Sequence, residues 1–189
     1  MPIFIEVRIM IPPQETVLMI VDVQGKLAEV MQQTGVLHQQ LATLIQGAQL
    51  FEIPIIWLEQ LPEKLGSTSP SLCQLLEKTT QPISKSHFSG WSCEQVQQQL
   101  QAYNPQHIIL AGIESHVCVY QTCQDLLSQG YCVHVVADAV SSRSVDNKVL
   151  GIQMMINQGA LLTNVESLLF EMQHIAQGDR FKALLKLIK

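Results

Sequence analysis

A chain of 189 residues is long enough to bury a core and short for two, so one domain over 1–189 is expected. With 47% hydrophobic and 14% charged residues it is too apolar for a disordered chain, and 11 Lys+Arg against 16 Asp+Glu, a net charge of −5, leave no basic strip for nucleic acid. Five cysteines without C-x-x-C spacing and no basic-then-apolar leader suggest a reducing, cytoplasmic setting, and no apolar run approaches the roughly 20 residues of a membrane helix.

In chain order, residues 1–11 (MPIFIEVRIMI) alternate partly with period two and read as an N-terminal strand or a partner-facing arm. Continuously apolar runs then recur at Thr16–Asp22, Ile53–Leu58, His107–Gly112 and Cys132–Asp138, with weaker ones at Pro82–Lys85 and Ala160–Thr163. Between them Val36–Phe51, Ser92–Ala102, His116–Gln129 and Asp146–Gln158 space apolar residues three and four apart, as amphipathic helices do. Strands that are apolar throughout, and alternate with helices, are covered on both faces. The expected fold is therefore α/β, with a mainly parallel sheet of about six strands in three layers. Gly130 and Gly159 mark helix ends, and Glu59–Pro70 (EQLPEKLGSTSP), which has no periodicity, reads as a loop after the second strand.

Ligands of open parallel sheets bind outside the carboxyl ends of the strands. The first strand ends at Asp22 and the third at Lys85; the fourth runs through Gly112–Glu114 into a helix whose first turn holds Cys118. At a helix N-terminus, with a lysine nearby, a cysteine favours the thiolate and becomes nucleophilic. The bland alternatives are a small buried cysteine, a capping or solvated aspartate and a surface lysine.

The segments VLMIVDVQGK (17–26), ISKSHFSGW (83–91), AGIESHVCVYQTCQDL (111–126) and VHVVADAVSSRS (133–144) resemble the cysteine-hydrolase branch of the isochorismatase-like family. EQLPEKLGST (59–68) and QGALLTNVESLLFEM (158–172) extend the likeness toward the isochorismatase domain-containing proteins, from Pro12 to the C-terminus. The resemblance implies a Rossmann-like three-layer fold, a catalytic triad of Asp22, Lys85 and Cys118, and a cis Ile113–Glu114 peptide before the nucleophile. It also implies an oxyanion hole from the backbone N–H groups of Glu114 and Cys118, and homo-oligomers. The chemistry that follows is hydrolysis of a small amide through a Cys118 thioester, with Asp22 moving the protons and Lys85 setting the charge pattern.

Related nicotinamidases hold a metal through a D-x-H pattern, where this chain reads WLEQLPEKLG, and its six histidines lack paired spacing; no metal and no cofactor are expected. Gln60, Trp91, Ile113 and His116 are candidates for touching the small-molecule substrate. His116, two residues from Cys118, does not face it on a helix, and Trp91 is the candidate apolar wall. Ser141–Ser144 reads as a helix cap. Two other readings stay open: a small-ligand-binding or interaction module that never acylates its thiol, and a redox-responsive protein cycling through sulfenic acid at Cys118.

Overall fold

The computed structural model describes residues 11–189, so the expected arm at 1–11 lies, except for Ile11, outside the described residues. Six strands form one sheet: β1 (Thr16–Val21), β2 (Ile55–Gln60), β3 (Pro82–Lys85), β4 (His107–Ile113), β5 (Cys132–Ser141) and β6 (Leu161–Thr163). Their order is β3-β2-β1-β4-β5-β6, and every neighbouring pair is parallel. The helices are α1 (Gly25–Glu29), α2 (Thr34–Leu50), α3 (Pro62–Leu65), α4 (Pro70–Leu76), α5 (Glu94–Tyr103), α6 (Tyr120–Ser128), α7 (Val145–Asn157), α8 (Val165–Gln173) and α9 (Asp179–Ile188).

Alternate residues of each central strand feed opposite cores, which is why the strands carry no polar face. Leu18, Ile20, Ile55, Trp57, Ile109 and Ala111 pack with Leu41, Leu44 and Ile45 of α2, Leu72 of α4 and Leu168 of α8. Val17, Met19, Val21, Ile56, Ile108 and Leu110 pack on the other face with Val96 of α5, Cys123 and Leu126 of α6, and Met155 of α7. The chain winds outward from β1 through β2 to β3, then returns to β4 on the other side of β1. The direction of winding reverses between β1 and β4, and their carboxyl ends open the crevice at such a reversal.

The segment expected as one loop over 59–70 is more ordered than that. Glu59 and Gln60 are the last residues of β2 and are buried; their polarity hid a strand end whose side chains are hydrogen-bonded within the protein. Pro62 and Pro70 do not break structure but occupy the first turns of α3 and α4, where a missing N–H is harmless. Gly130 and Gly159 do take positive φ, 88° and 105°, after their helices. In the Ser141–Ser144 cluster only Ser144 caps α7, its Oγ accepting from Asn147 N–H at 3.1 Å.

The approach of β1 to β4 at the crevice depends on Gly112, whose φ is 119° and whose missing Cβ would overlap the carbonyl of Val21. Backbone, not a flexible side chain, blocks that space. Gly112→Ala is expected to cost about 3 kcal/mol or more, read as a lowered urea midpoint with an unchanged slope.

Candidate active site

β1 ends by turning sharply. Asp22 adopts φ 53°, a left-handed conformation that a short acidic side chain tolerates, with its N–H donating to Leu58 O at 3.2 Å and its carbonyl accepting from Gln24 N–H at 2.9 Å. The carboxyl is driven inward, to 2% exposure, and its Oδ2 accepts from Lys85 Nζ at 2.7 Å. Lys85 arrives from the end of β3, where the β2–β3 register sets it beside Gln60. Its ammonium also donates to Gln60 Oε1 at 2.6 Å and to the carbonyls of His87 and Phe88 at 3.2 and 3.1 Å. Four acceptors for three N–H bonds leave the charge fully solvated by the protein. Burial nevertheless holds the Asp22 carboxyl above the ordinary aspartate range, with Lys85 opposing.

Cys118 comes from the other side of the crevice. After β4 the Ile113–Glu114 peptide is cis, as the motif resemblance implied, and Ser115–Val119 form a π-helical turn before α6 begins. The Glu114 carbonyl accepts from Val117 and Val119 N–H at 3.0 and 3.2 Å. Ser142 braces this turn: its Oγ lies 2.7 Å from Ser115 Oγ and 3.0 Å from His116 Nδ1, and it accepts from Ser115 N–H at 3.1 Å. Helix α7 presses on the same backbone through Gly151, where a Cβ would come within 2.5 Å of the Ser115 carbonyl carbon.

The thiol itself differs from the expected preformed thiolate. Burial first, and the Asp22 carboxylate second, push the Cys118 thiol up to about 12, with Lys85 opposing too weakly to reverse it. The reason is geometric: the ammonium is engaged by Asp22, Gln60 and two carbonyls, and α6 starts only at Tyr120, beyond the cysteine. Asp22 Oδ1 is buried and has no partner of full hydrogen-bond geometry among the described residues. The Cys118 thiol is close enough to act on the carboxyl as a hydrogen-bond donor. A protonated thiol thus faces a carboxyl of raised basicity, with a lysine on that carboxyl's Oδ2.

The remaining candidates separate. Gln60 joins the site by bonding Lys85, and its Nε2 donates to Ser86 O at 2.9 Å. Ile113 is fully buried with its side chain in the core facing α2, so only its peptide reaches the crevice. His116 holds Ser142, a turn-bracing contact. Trp91 packs against the same apolar cluster that holds Cys118, with its ring edge-on to Tyr131, 6.1 Å between centroids. Sequence reasoning missed Gln24, fully buried, whose Oε1 accepts from Gln60 N–H at 2.6 Å and whose Nε2 donates to Gly66 O at 2.7 Å. An amide two residues beyond a strand-end aspartate was its available signal. Glu114 was expected for its N–H alone, yet its Oε1 accepts from Arg143 N–H and Nε at 3.1 and 3.0 Å. The histidines are not all scattered, because strand pairing brings His107 and His134 together at the opposite end of β4.

A carboxyl, a lysine and a cysteine gathered at the reversal point of a parallel sheet mark a hydrolase of the three-layer α/β class. The isochorismatase domain matches residues 16–167, and the chain belongs to that family of hydrolases. It is similar to a secreted isochorismatase effector of Phytophthora sojae, 36% identical with 94% of this chain and 86% of that one covered. Isochorismatase domain-containing protein 2 of Danio rerio is 35% identical, with 92% and 86% covered. A solved structure of MAR1 ribonuclease from Caenorhabditis elegans superposes with a TM-score of 0.88 at 36% identity, covering 95% of this chain and 92% of that one. No helix among the described residues is long and apolar enough to cross a membrane.

Only the thiolate alkylates, so a thiol held near 12 reacts faster at every step up in pH. Peptide-resolved iodoacetamide labelling is expected to show the Cys118 rate rising about tenfold per pH unit from 7 to 10 without levelling; a plateau near pH 7 would mean a preformed thiolate. Lys85→Met strands the buried Asp22 carboxyl and is expected to cost about 3–5 kcal/mol, measured by urea unfolding at pH 7.

Proposed function

We propose that the protein is a metal-independent cysteine hydrolase that cleaves the C–N bond of a small amide through a thioester on Cys118. The observation that carries this reading is the buried Asp22–Lys85 pair at 2.7 Å, with one Asp22 oxygen left without a hydrogen-bond partner and the Cys118 thiol beside the carboxyl. As substrate enters, Asp22 takes the proton from Sγ and the thiolate attacks the acyl carbon. The negative charge that develops on the carbonyl oxygen is held by the N–H groups of Glu114 and Cys118. The intermediate collapses as Asp22 returns its proton to the departing amine, leaving the thioester. Asp22 then takes a proton from water, whose oxygen attacks the thioester; the acid leaves and the thiol is restored. Lys85 keeps Asp22 in place throughout. Metal independence rests on the donor set: the ammonium fills the space a cation would need beside Asp22 Oδ2, and Gln60 already serves that ammonium.

Homo-oligomers belong to the same reading. Val145, Val149 and Leu150 on α7 and Leu161 and Leu162 on the edge strand β6 are exposed apolar residues, surface that a second copy of the chain would cover. The ribonuclease named in the Caenorhabditis elegans structure makes RNA a required comparison substrate, although a chain of net charge −5 lacks a phosphate-binding strip. A cytoplasmic setting agrees with the five free cysteines.

The test is ammonia release and intact mass across a panel of small amides, nicotinamide included, with an RNA control. Wild type is expected to release ammonia and carry an acyl adduct, and Cys118→Ala is expected to lose both, with kcat reduced at least about 10³-fold. Unchanged turnover in Cys118→Ala, or RNA cleavage without amide turnover, overturns the proposal. A sulfenic acid at Cys118 with no acyl adduct would favour the redox reading.

A further inference from the structure

The end of the sheet opposite the crevice holds a second cluster of reactive side chains. His107 opens β4, and Cys132 and His134 open β5. The strands pair in parallel with His107 beside Cys132 and Ile109 beside His134, so the three side chains lie on the same face of the sheet, toward α2. His107 Nδ1 lies 3.0 Å from His134 Nε2, and Cys132 Sγ lies 3.5 Å from the same Nε2. One ligand atom from each residue falls within 4.8 Å of the other two. Both histidines are buried, and Cys132 is half-buried.

These separations are close to those that a single ion imposes. Around a tetrahedral zinc, with bonds of about 2.05 Å to nitrogen and 2.3 Å to sulfur, two nitrogens stand about 3.3 Å apart and a nitrogen and a sulfur about 3.5 Å apart. Two imidazoles and one thiolate suit a borderline d10 ion better than a hard one. We propose that His107, Cys132 and His134 form a zinc site at the amino-terminal ends of β4 and β5, with water as the fourth ligand on the open side of Cys132. The expectation of no metal came from sequence spacing, which could not see that β4 and β5 pair in this register across the 24 residues between His107 and Cys132.

The chemistry balances simply. Zinc binding replaces the Sγ–H bond of Cys132 with a Zn–S bond and releases that proton to solvent. The proton shared in the His107–His134 contact moves to the outer nitrogen of one ring, so each ring presents a lone pair and both stay neutral. The site lies a whole strand from Cys118 and is independent of the proposed hydrolysis.

Equilibrium dialysis of the full chain against micromolar Zn2+, followed by elemental analysis, is expected to find one zinc per chain. Cys132→Ser is expected to weaken binding at least about a hundredfold, and Cys118→Ala to leave it unchanged. Cobalt substituted for zinc is expected to give a thiolate charge-transfer band that disappears in Cys132→Ser. Zinc is also expected to protect Cys132, and not Cys73 or Cys93, from alkylation in the unmutated protein. The proposal is overturned by no retained zinc with the fold intact by circular dichroism, or by zinc lost in Cys118→Ala but kept in Cys132→Ser. It is also overturned by alkylation of Cys132 that zinc does not slow.

Discussion

An ammonium and a carboxylate lie almost wholly out of water where β1 and β3 end, 2.7 Å apart, with the β2 strand between them supplying Gln60. Removing two ions from water costs several kcal/mol each, and their mutual attraction offsets that only when every remaining hydrogen-bonding position is filled. Here Lys85 finds an amide oxygen and two carbonyls of the following loop, while one carboxylate oxygen keeps an incomplete shell. The strand ends are thereby tied to one another by electrostatics. Under the proposed mechanism the same incompleteness is what makes Asp22 a base.

The opposite wall of the crevice is fixed by packing. Ser142, beyond β5, and Gly151, within α7, hold the backbone at Ser115 and His116, so the position of Cys118 is set by elements downstream of it. Glu114 adds a tie to Arg143, whose side chain remains 62% exposed, through both the Nε and the backbone N–H of that residue. Electrostatics locate the aspartate and lysine, and close packing locates the cysteine. Each wall is built from a different segment of the chain, and neither is complete without the β1–β4 approach at Gly112.

Much of this was legible before any coordinates. Uniform apolar runs signalled a doubly covered parallel sheet; Asp22 and Lys85 were visible at strand ends and Cys118 in the helix turn after the fourth strand, and the motif resemblance joined the three. What escaped was whatever depends on partners distant in sequence. Gln24 and Glu59 look like solvent-facing residues until their hydrogen bonds to Gln60, Gly66 and Thr68 are seen. Trp91 sits six residues from Lys85, yet the turn between them sends its ring to Tyr131. The thiol's raised affinity for its proton also escaped, because helix position and a neighbouring lysine argue for the opposite and only burial decides between them.

The π-helical turn at Ser115–Val119 has a consequence for the helix that follows. Such a turn inserts one residue beyond the regular count, and each residue of an α-helix advances the face by about 100°. That extra step lets Cys118, which lines the same apolar cluster as Cys123 and Leu126, reach the Asp22 carboxyl while those two stay packed against the sheet. Were the turn regular, one of the two alignments would rotate away. The insertion uncouples the direction of the cysteine from the packing of α6, so the helix can be selected for stability and the thiol for reach without either constraint dictating the other.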